Sequence, residues 1–269
     1  YGVAIMSQER ITTLLTEKRS YLPPEHGKSS AWICGQDEAD AICRRALEDP
    51  NDFWGARASQ LIHWFKRWDK VLEADEARHK YRWFTGAKLN AAFNCIDRHL
   101  ISGRRNKAAL IWQGEKEMDV RCFTYQMLYT EVCRVAHALS SLHINKGDRV
   151  ALYMPMIPEL VIAMLACARI GAIHTAIFSG YAEGGVRSRI QGSKAKVVIT
   201  ADAAIRAGKI KPLKANLDPI LEKCPSVAHV VVVNHADLYD VKMTPNRDIW
   251  WHDLIEDFTL DVDFPCEPM

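Results

Sequence analysis

The densest group of side chains able to hold an anion lies in TADAAIRAGKIKPLK, residues 200–214, where Arg206, Lys209, Lys211 and Lys214 fall within nine positions beside Gly208. A phosphate is bound by a guanidinium fork or by a compact ammonium charge, and a glycine lets backbone N–H groups approach its oxygens. Arg206, Lys209 and Gly208 supply one of each. A solvated positive turn ahead of a helix has the same composition, so spacing alone leaves both readings open. A second segment, FSGYAEGGVRSRI (178–190), joins Gly180, placed for a sharp turn, to Arg187 and Arg189. Turns require glycine whether or not they touch a ligand, so this motif by itself is weak.

Stand-alone catalytic signatures are missing. The chain has no Gly-x-x-x-x-Gly-Lys-Ser/Thr loop, Gly-x-Ser-x-Gly elbow, His-Glu-x-x-His pair or Gly-x-Gly-x-x-Gly fingerprint. Its ten histidines show no repeating ligand spacing and read as packed or surface imidazoles, so no catalytic residue and no metal ligand is assigned. The eight cysteines, at 34, 43, 95, 122, 133, 167, 224 and 266, include no Cys-x-x-Cys pair. They are expected to be reduced, mostly packed thiols of a cytoplasmic protein, forming neither a zinc site nor a disulfide framework.

Both anion-binding candidates follow apolar runs that must position them. Residues 149–153 form a short apolar run led by the turn signal Lys146-Gly147-Asp148, which predicts a buried strand. Pro158 suits a first helical turn, 159–170 is apolar on nearly every face, and Gly171 closes the helix. Strands over 172–178, 196–200 and 227–233 alternate with helices over 184–191 and 213–223. This β-α-β-α-β-α-β order predicts an α/β fold, a mostly parallel sheet with helices on both faces. Ligands of such sheets gather at the carboxyl ends of the strands, which is where Gly180 and the 206–209 segment fall. The last thirty residues show no strong period and read as a connector.

Residues 1–104 read as a helical and irregular N-terminal extension, with helical apolar spacing over 39–47 and 54–68, and 105–269 as the α/β unit. The aromatics Phe53, Trp54, Trp64, Phe65, Trp68, Trp83 and Phe84 are expected to pack the extension onto a neighbouring domain, in preference to stacking on a ligand. With 269 residues, 48% of them hydrophobic, a sizeable core is available. The 35 basic and 33 acidic residues leave a net charge of +2, so no global field recruits nucleic acid or an anionic membrane, and any anion site is local. No apolar stretch reaches the roughly 20 residues needed to span a bilayer.

Two blocks carry a resemblance. FWGARASQLIHWFKRWDKVLEAD (53–75) and WFTGAKLNAAFNCIDRHL (83–100) resemble the opening region of AMP-forming acetyl-CoA synthetases, in the acetyl and propionyl branch. The segments 123–180 and 197–214 are similar to the first core signatures of the wider acyl-adenylate-forming superfamily. The resemblance implies an N-terminal part of an acetate–CoA ligase that uses ATP, acetate and CoA, with a C-terminal remainder of the same polypeptide. Arg206, Ala207, Gly208 and Lys209 take the position of a tetrapeptide that contacts the 3′-phosphorylated nucleotide of CoA. Gly180 lies in a segment like the family's Phe-Gly-Gly, also near CoA. Lys209 stands where many members carry arginine, which keeps the charge and loses the fork, and Ser179 departs from Phe-Gly-Gly. By the same resemblance the phosphate loop, the Mg2+ site and the adenylation lysine lie outside this chain, which alone is expected to be inactive. Propionate in place of acetate, or a non-catalytic CoA-binding or scaffold module, are the alternatives.

Overall fold

The computed structural model describes residues 21, 24–258 and 263–269. Residues 1–20 of the expected extension, and Asp261 of the expected connector, therefore lie outside the described residues. The chain divides into two compact units, Tyr1–Gly55 and Ala56–Met269. In the first, α1 (Glu25–Ser30) and α2 (Gln36–Glu48) precede α3 (Pro50–Leu61), which starts there. The helical spacing over 39–47 is realised in α2, which buries none of its residues.

In the second unit the helix expected over 54–68 stops at Leu61. The Trp64 indole donates back to the Ala58 carbonyl (2.9 Å), and Trp64, Trp68 and Phe84 pack ring on ring with centroids 5.1–5.2 Å apart. An antiparallel hairpin that the sequence reading did not foresee, β1 (Lys70–Asp75) with β2 (Lys80–Thr85), follows. Its β2 alternates Lys80, Arg82 with Tyr81, Trp83, and Arg82 reaches Glu73 across the pair at 3.2 Å. A π-helical turn (Phe93–Asp97) and α4 (Arg98–Ile101) lead to a second antiparallel hairpin, β3 (Ala108–Gln113) with β4 (Val120–Thr124).

The frame of the unit is the parallel sheet. After α5 (Tyr125–Ser141), whose first turn is capped by Thr124 accepting from the Met127 N–H (3.2 Å), come β5 (Arg149–Met154), α6 (Pro158–Ile170), β6 (Ile173–Phe178), α7 (Glu183–Ser193) and β7 (Val197–Ala201). Next are β8 (Ala203–Arg206), β9 (Lys209–Pro212), α8 (Leu213–Leu221), β10 (His229–Val233), β11 (Asp248–Trp250) and α9 (Trp251–Glu256). Five strands pair in parallel in the order β11-β10-β7-β5-β6. From β5 the chain steps to β6 on one side, then returns past β5 to β7 and on to β10. Right-handed crossovers in opposite directions place helices on both faces, and the switch point lies between β5 and β7. The central strands β7 and β10 are buried along nearly their whole length, which is why both read as unbroken apolar runs. Among the described residues no helix is long and apolar enough to cross a membrane.

Two expectations need correction. The stretch after β7 is not a loop running directly into a helix, because β8 and β9 form an antiparallel hairpin there. The expected connector is also more ordered than its weak period suggested. It holds β11 and α9, and residues 263–269 form a strap tied down by polar contacts. Met269 and Leu89 exchange two backbone hydrogen bonds (2.9 and 3.1 Å), and fully buried Asn90 donates to the carbonyls of Glu267 and Ala168 (both 2.8 Å). Buried Arg169 donates two hydrogen bonds to Asp97 (2.8 and 2.9 Å) and one to the Phe264 carbonyl (2.5 Å). Burial alone would lower the Arg169 pKa, and the hydrogen bonds to Asp97 together with the charge of Asp97 and neighbouring acidic groups outweigh it, so the guanidinium is held in its charged form.

Gly171 closes α6 as expected, at φ 77° in the left-handed region. A β-carbon there would also lie 2.8 Å from the Met269 sulfur and 3.1 Å from Lys146 Cγ. Gly171→Ala is expected to lower the unfolding free energy by about 1–2 kcal/mol, read as a reduced urea midpoint at unchanged slope. An unchanged midpoint would contradict this.

Candidate functional site

The turn between β8 and β9 contains only Ala207 (φ 51°) and Gly208 (φ 69°), with Arg206 and Lys209 paired at the strand ends. Positive φ at both positions is the two-residue hairpin geometry whose twist matches the flanking strands. Gly208 adopts it freely, whereas Ala207 adopts it at a steric cost. The result is a tip with two exposed cations beside two adjacent N–H groups. Those N–H groups donate to the two oxygens of one carboxylate, Ala207 to Glu115 Oε1 (2.5 Å) and Gly208 to Glu115 Oε2 (2.9 Å). Among the described residues, neither the Arg206 nor the Lys209 side chain has an ion-pair or hydrogen-bond partner, so both face solvent uncommitted. The geometry suits an anion held by backbone donors with charge on either side.

Asp202, buried at the end of β7, fixes where the hairpin starts. Its carboxylate accepts from the backbone N–H groups of Ala203 (2.6 Å), His235 (2.9 Å), Ala236 (3.0 and 3.1 Å) and Leu238 (3.1 Å). It thereby joins the turn after β7 to the turn after β10. A buried carboxylate so fully satisfied is a rigid anchor.

The four cations grouped in the sequence separate in space. Arg206 and Lys209 occupy the tip. Lys211, on β9, donates to the Ser179 carbonyl (2.6 Å) and so ties the hairpin to the Phe178–Ser179–Gly180 loop. Lys214 is not part of an anion site. It is buried in α8, bonded to both oxygens of Asp218 (2.8 Å each) and to Asp248 (2.8 Å). Burial would raise the Asp248 pKa, but hydrogen bonds from Arg247 and Lys214 hold its carboxyl below the usual range. The cluster of charge in the sequence thus contains one structural lysine, paired with two carboxylates from outside the cluster.

Gly180 is needed for a reason other than turn conformation. Its φ is not in the left-handed region, but a β-carbon would sit 2.3 Å from Cε1 of the Phe178 ring. Arg189 lies over the Tyr181 ring (4.1 Å) and Arg187 pairs with Glu183 (3.3 Å), so these two arginines serve the local helix. Between this loop and α8 is a cleft of about 340 Å3 lined by Tyr153, Tyr181, Val186, Lys211, Asn216 and Ile220. Tyr153 is the penultimate residue of β5, at the switch point, where Thr200 of β7 donates to its carbonyl (2.8 Å). Of these, Tyr153, Tyr181, Asn216 and also Glu115 were not picked out by sequence reasoning as a site, and Lys211 was named in the basic group without a ligand of its own. Lys211 carried a signal, two residues from Lys209 on one strand face. Among the described residues, no group of three or more His, Cys, Asp or Glu side chains could hold a metal ion.

A doubly wound sheet with a basic hairpin at its carboxyl edge is common to several nucleotide-handling classes. A family model described as AMP-binding enzyme matches residues 97–257, and one described as acetyl-coenzyme A synthetase N-terminus matches residues 39–95. The chain belongs to the AMP-binding enzyme family. It is similar to an acetyl-coenzyme A synthetase of Alkalilimnicola ehrlichii, 41% identical over 255 residues, covering 95% of this chain and 39% of the relative. An acetyl-coenzyme A synthetase of Gemmatimonas aurantiaca is 47% identical over 263 residues, covering 96% of this chain and 38% of the relative. Acetyl-coenzyme A synthetase 2 of Pseudomonas putida is 46% identical over 228 residues, covering 85% and 35%. The chain therefore spans 35–39% of the length of these curated relatives.

Proposed function

We propose that this chain is the N-terminal portion of a cytoplasmic acetate–CoA ligase that forms AMP, and that Arg206, Ala207, Gly208 and Lys209 bind the phosphorylated nucleotide of CoA, with Gly180 in the adjoining loop. The observation that carries the site is the hairpin tip, where two backbone donors already hold one anionic group between two unpaired cations. In this reading the complete protein joins acetate to ATP, releasing pyrophosphate, and the CoA thiol then displaces AMP. A carboxylate oxygen is a poor leaving group and AMP a good one, which is the chemical reason for two steps. Magnesium would neutralise charge on the phosphates. No residue of this chain is assigned to it. The residues of this chain bind and orient CoA; those that act on the reacting carbonyl belong to the remainder of the polypeptide.

The full-length protein is expected to catalyse acetate-dependent ATP–pyrophosphate exchange without CoA, and to release AMP when CoA is added. The 269-residue chain alone is expected to stay at background. Release of ADP, or exchange by the chain alone, would contradict the proposal.

A further inference from the structure

The carboxylate at the hairpin tip comes from the chain itself. Glu115 lies in the loop joining β3 to β4, and that loop is built to present it. Gln113 donates to the Gly114 and Lys116 carbonyls (3.1 and 2.8 Å), and the Gly114 N–H donates to the Asp119 carbonyl (2.7 Å). A β-carbon on Gly114 would meet the Asp119 carboxylate at 2.1 Å, so the loop closes tightly at that point. On the hairpin side, both free N–H groups of the turn are consumed by the two Glu115 oxygens, at 2.5 and 2.9 Å. A carboxylate and a phosphate present the same motif to such a pair, two oxygens sharing negative charge. One pair of N–H groups cannot fully serve both.

We propose that Glu115 is a built-in competitor for the anion site, a carboxylate latch that a phosphate of the incoming ligand must displace. The inference rests on the assignment of the tip to the CoA nucleotide. Arg206 and Lys209, which Glu115 leaves unpaired, make the first contact, and the phosphate then takes over the N–H groups as the β3–β4 loop releases. Glu115 therefore lowers the apparent affinity for CoA, whose phosphate must displace it, more than that for a ligand lacking this phosphate.

The test compares Glu115→Ala, Glu115→Gln and Arg206→Ala in the full-length protein, with CoA and dephospho-CoA as probes and thermal midpoints as a check on folding. Glu115→Ala is expected to lower the KM for CoA about three- to tenfold. Glu115→Gln should fall between it and wild type, since a neutral amide oxygen accepts one of the two bonds more weakly. The gain with dephospho-CoA should be smaller, because that ligand lacks the phosphate that would use the freed donors. An unchanged or raised KM for CoA in Glu115→Ala, while Arg206→Ala raises it, would overturn the latch and leave the CoA site standing. An unchanged KM in Arg206→Ala would overturn the site assignment, and the latch with it.

Discussion

Replacing Arg169 by Met is expected to lower the unfolding free energy of this chain by about 3–5 kcal/mol, because it removes one partner of a buried ion pair and leaves the other uncompensated. Asp97 is 14% exposed and takes two hydrogen bonds from the guanidinium, and the Phe264 carbonyl takes a third. The expected loss is a large share of the roughly 5–15 kcal/mol of an ordinary domain. Urea denaturation should show a much lower midpoint, and Asp97→Leu added to Arg169→Met should recover part of it by removing the stranded carboxylate. An unfolding free energy within about 0.5 kcal/mol of wild type would show that the strap around residues 263–269 is held by its other contacts alone.

The frame around this pair was legible because its signals are local. Apolar runs mark β5, β6, β7 and β10, and Pro158 and Gly171 mark the two ends of α6 at the positions where each residue's backbone preference is useful. The β8–β9 hairpin was not legible. Its strands have four residues each, too few for a period, and its turn reads Ala-Gly, which lacks the Asn-Gly or Asp-Gly signature of this geometry. The role of Glu115 depends on a contact 92 residues away, which no window along the chain contains. Lys214 was counted with the other three cations because they are neighbours in the sequence. The corrective signal was its position on the apolar face of α8 with Leu217 and Leu221, four residues before Asp218. Gly180 was picked out for the conformation of a turn and is needed for the space taken by the Phe178 ring.

Replacing Arg206 by Ala in the full-length protein is expected to raise the KM for CoA about ten- to a hundredfold. A charge-assisted hydrogen bond to phosphate contributes about 1.5–3 kcal/mol, and each 1.4 kcal/mol is tenfold in affinity. Arg206 is exposed at the tip with no protein partner among the described residues, so its loss strands no buried group and should leave folding nearly unchanged. Lys209→Arg should be tolerated or improve CoA use, because a fork replaces a point charge at the same position. Acetate-dependent ATP–pyrophosphate exchange proceeds without CoA and should not follow the KM. If exchange falls as far as thioester formation, the tip is a structural element and the solvated-turn reading stands.

Recognition of a CoA phosphate by the hairpin tip is read in one ratio: kcat/KM with CoA divided by kcat/KM with dephospho-CoA, in wild type and in Arg206→Ala. A ratio well above one is expected for the wild type, falling at least tenfold in the variant, because the two ligands differ only in the group that the tip is proposed to hold. The same ratio in both proteins, however large, would place the phosphate elsewhere and contradict this recognition.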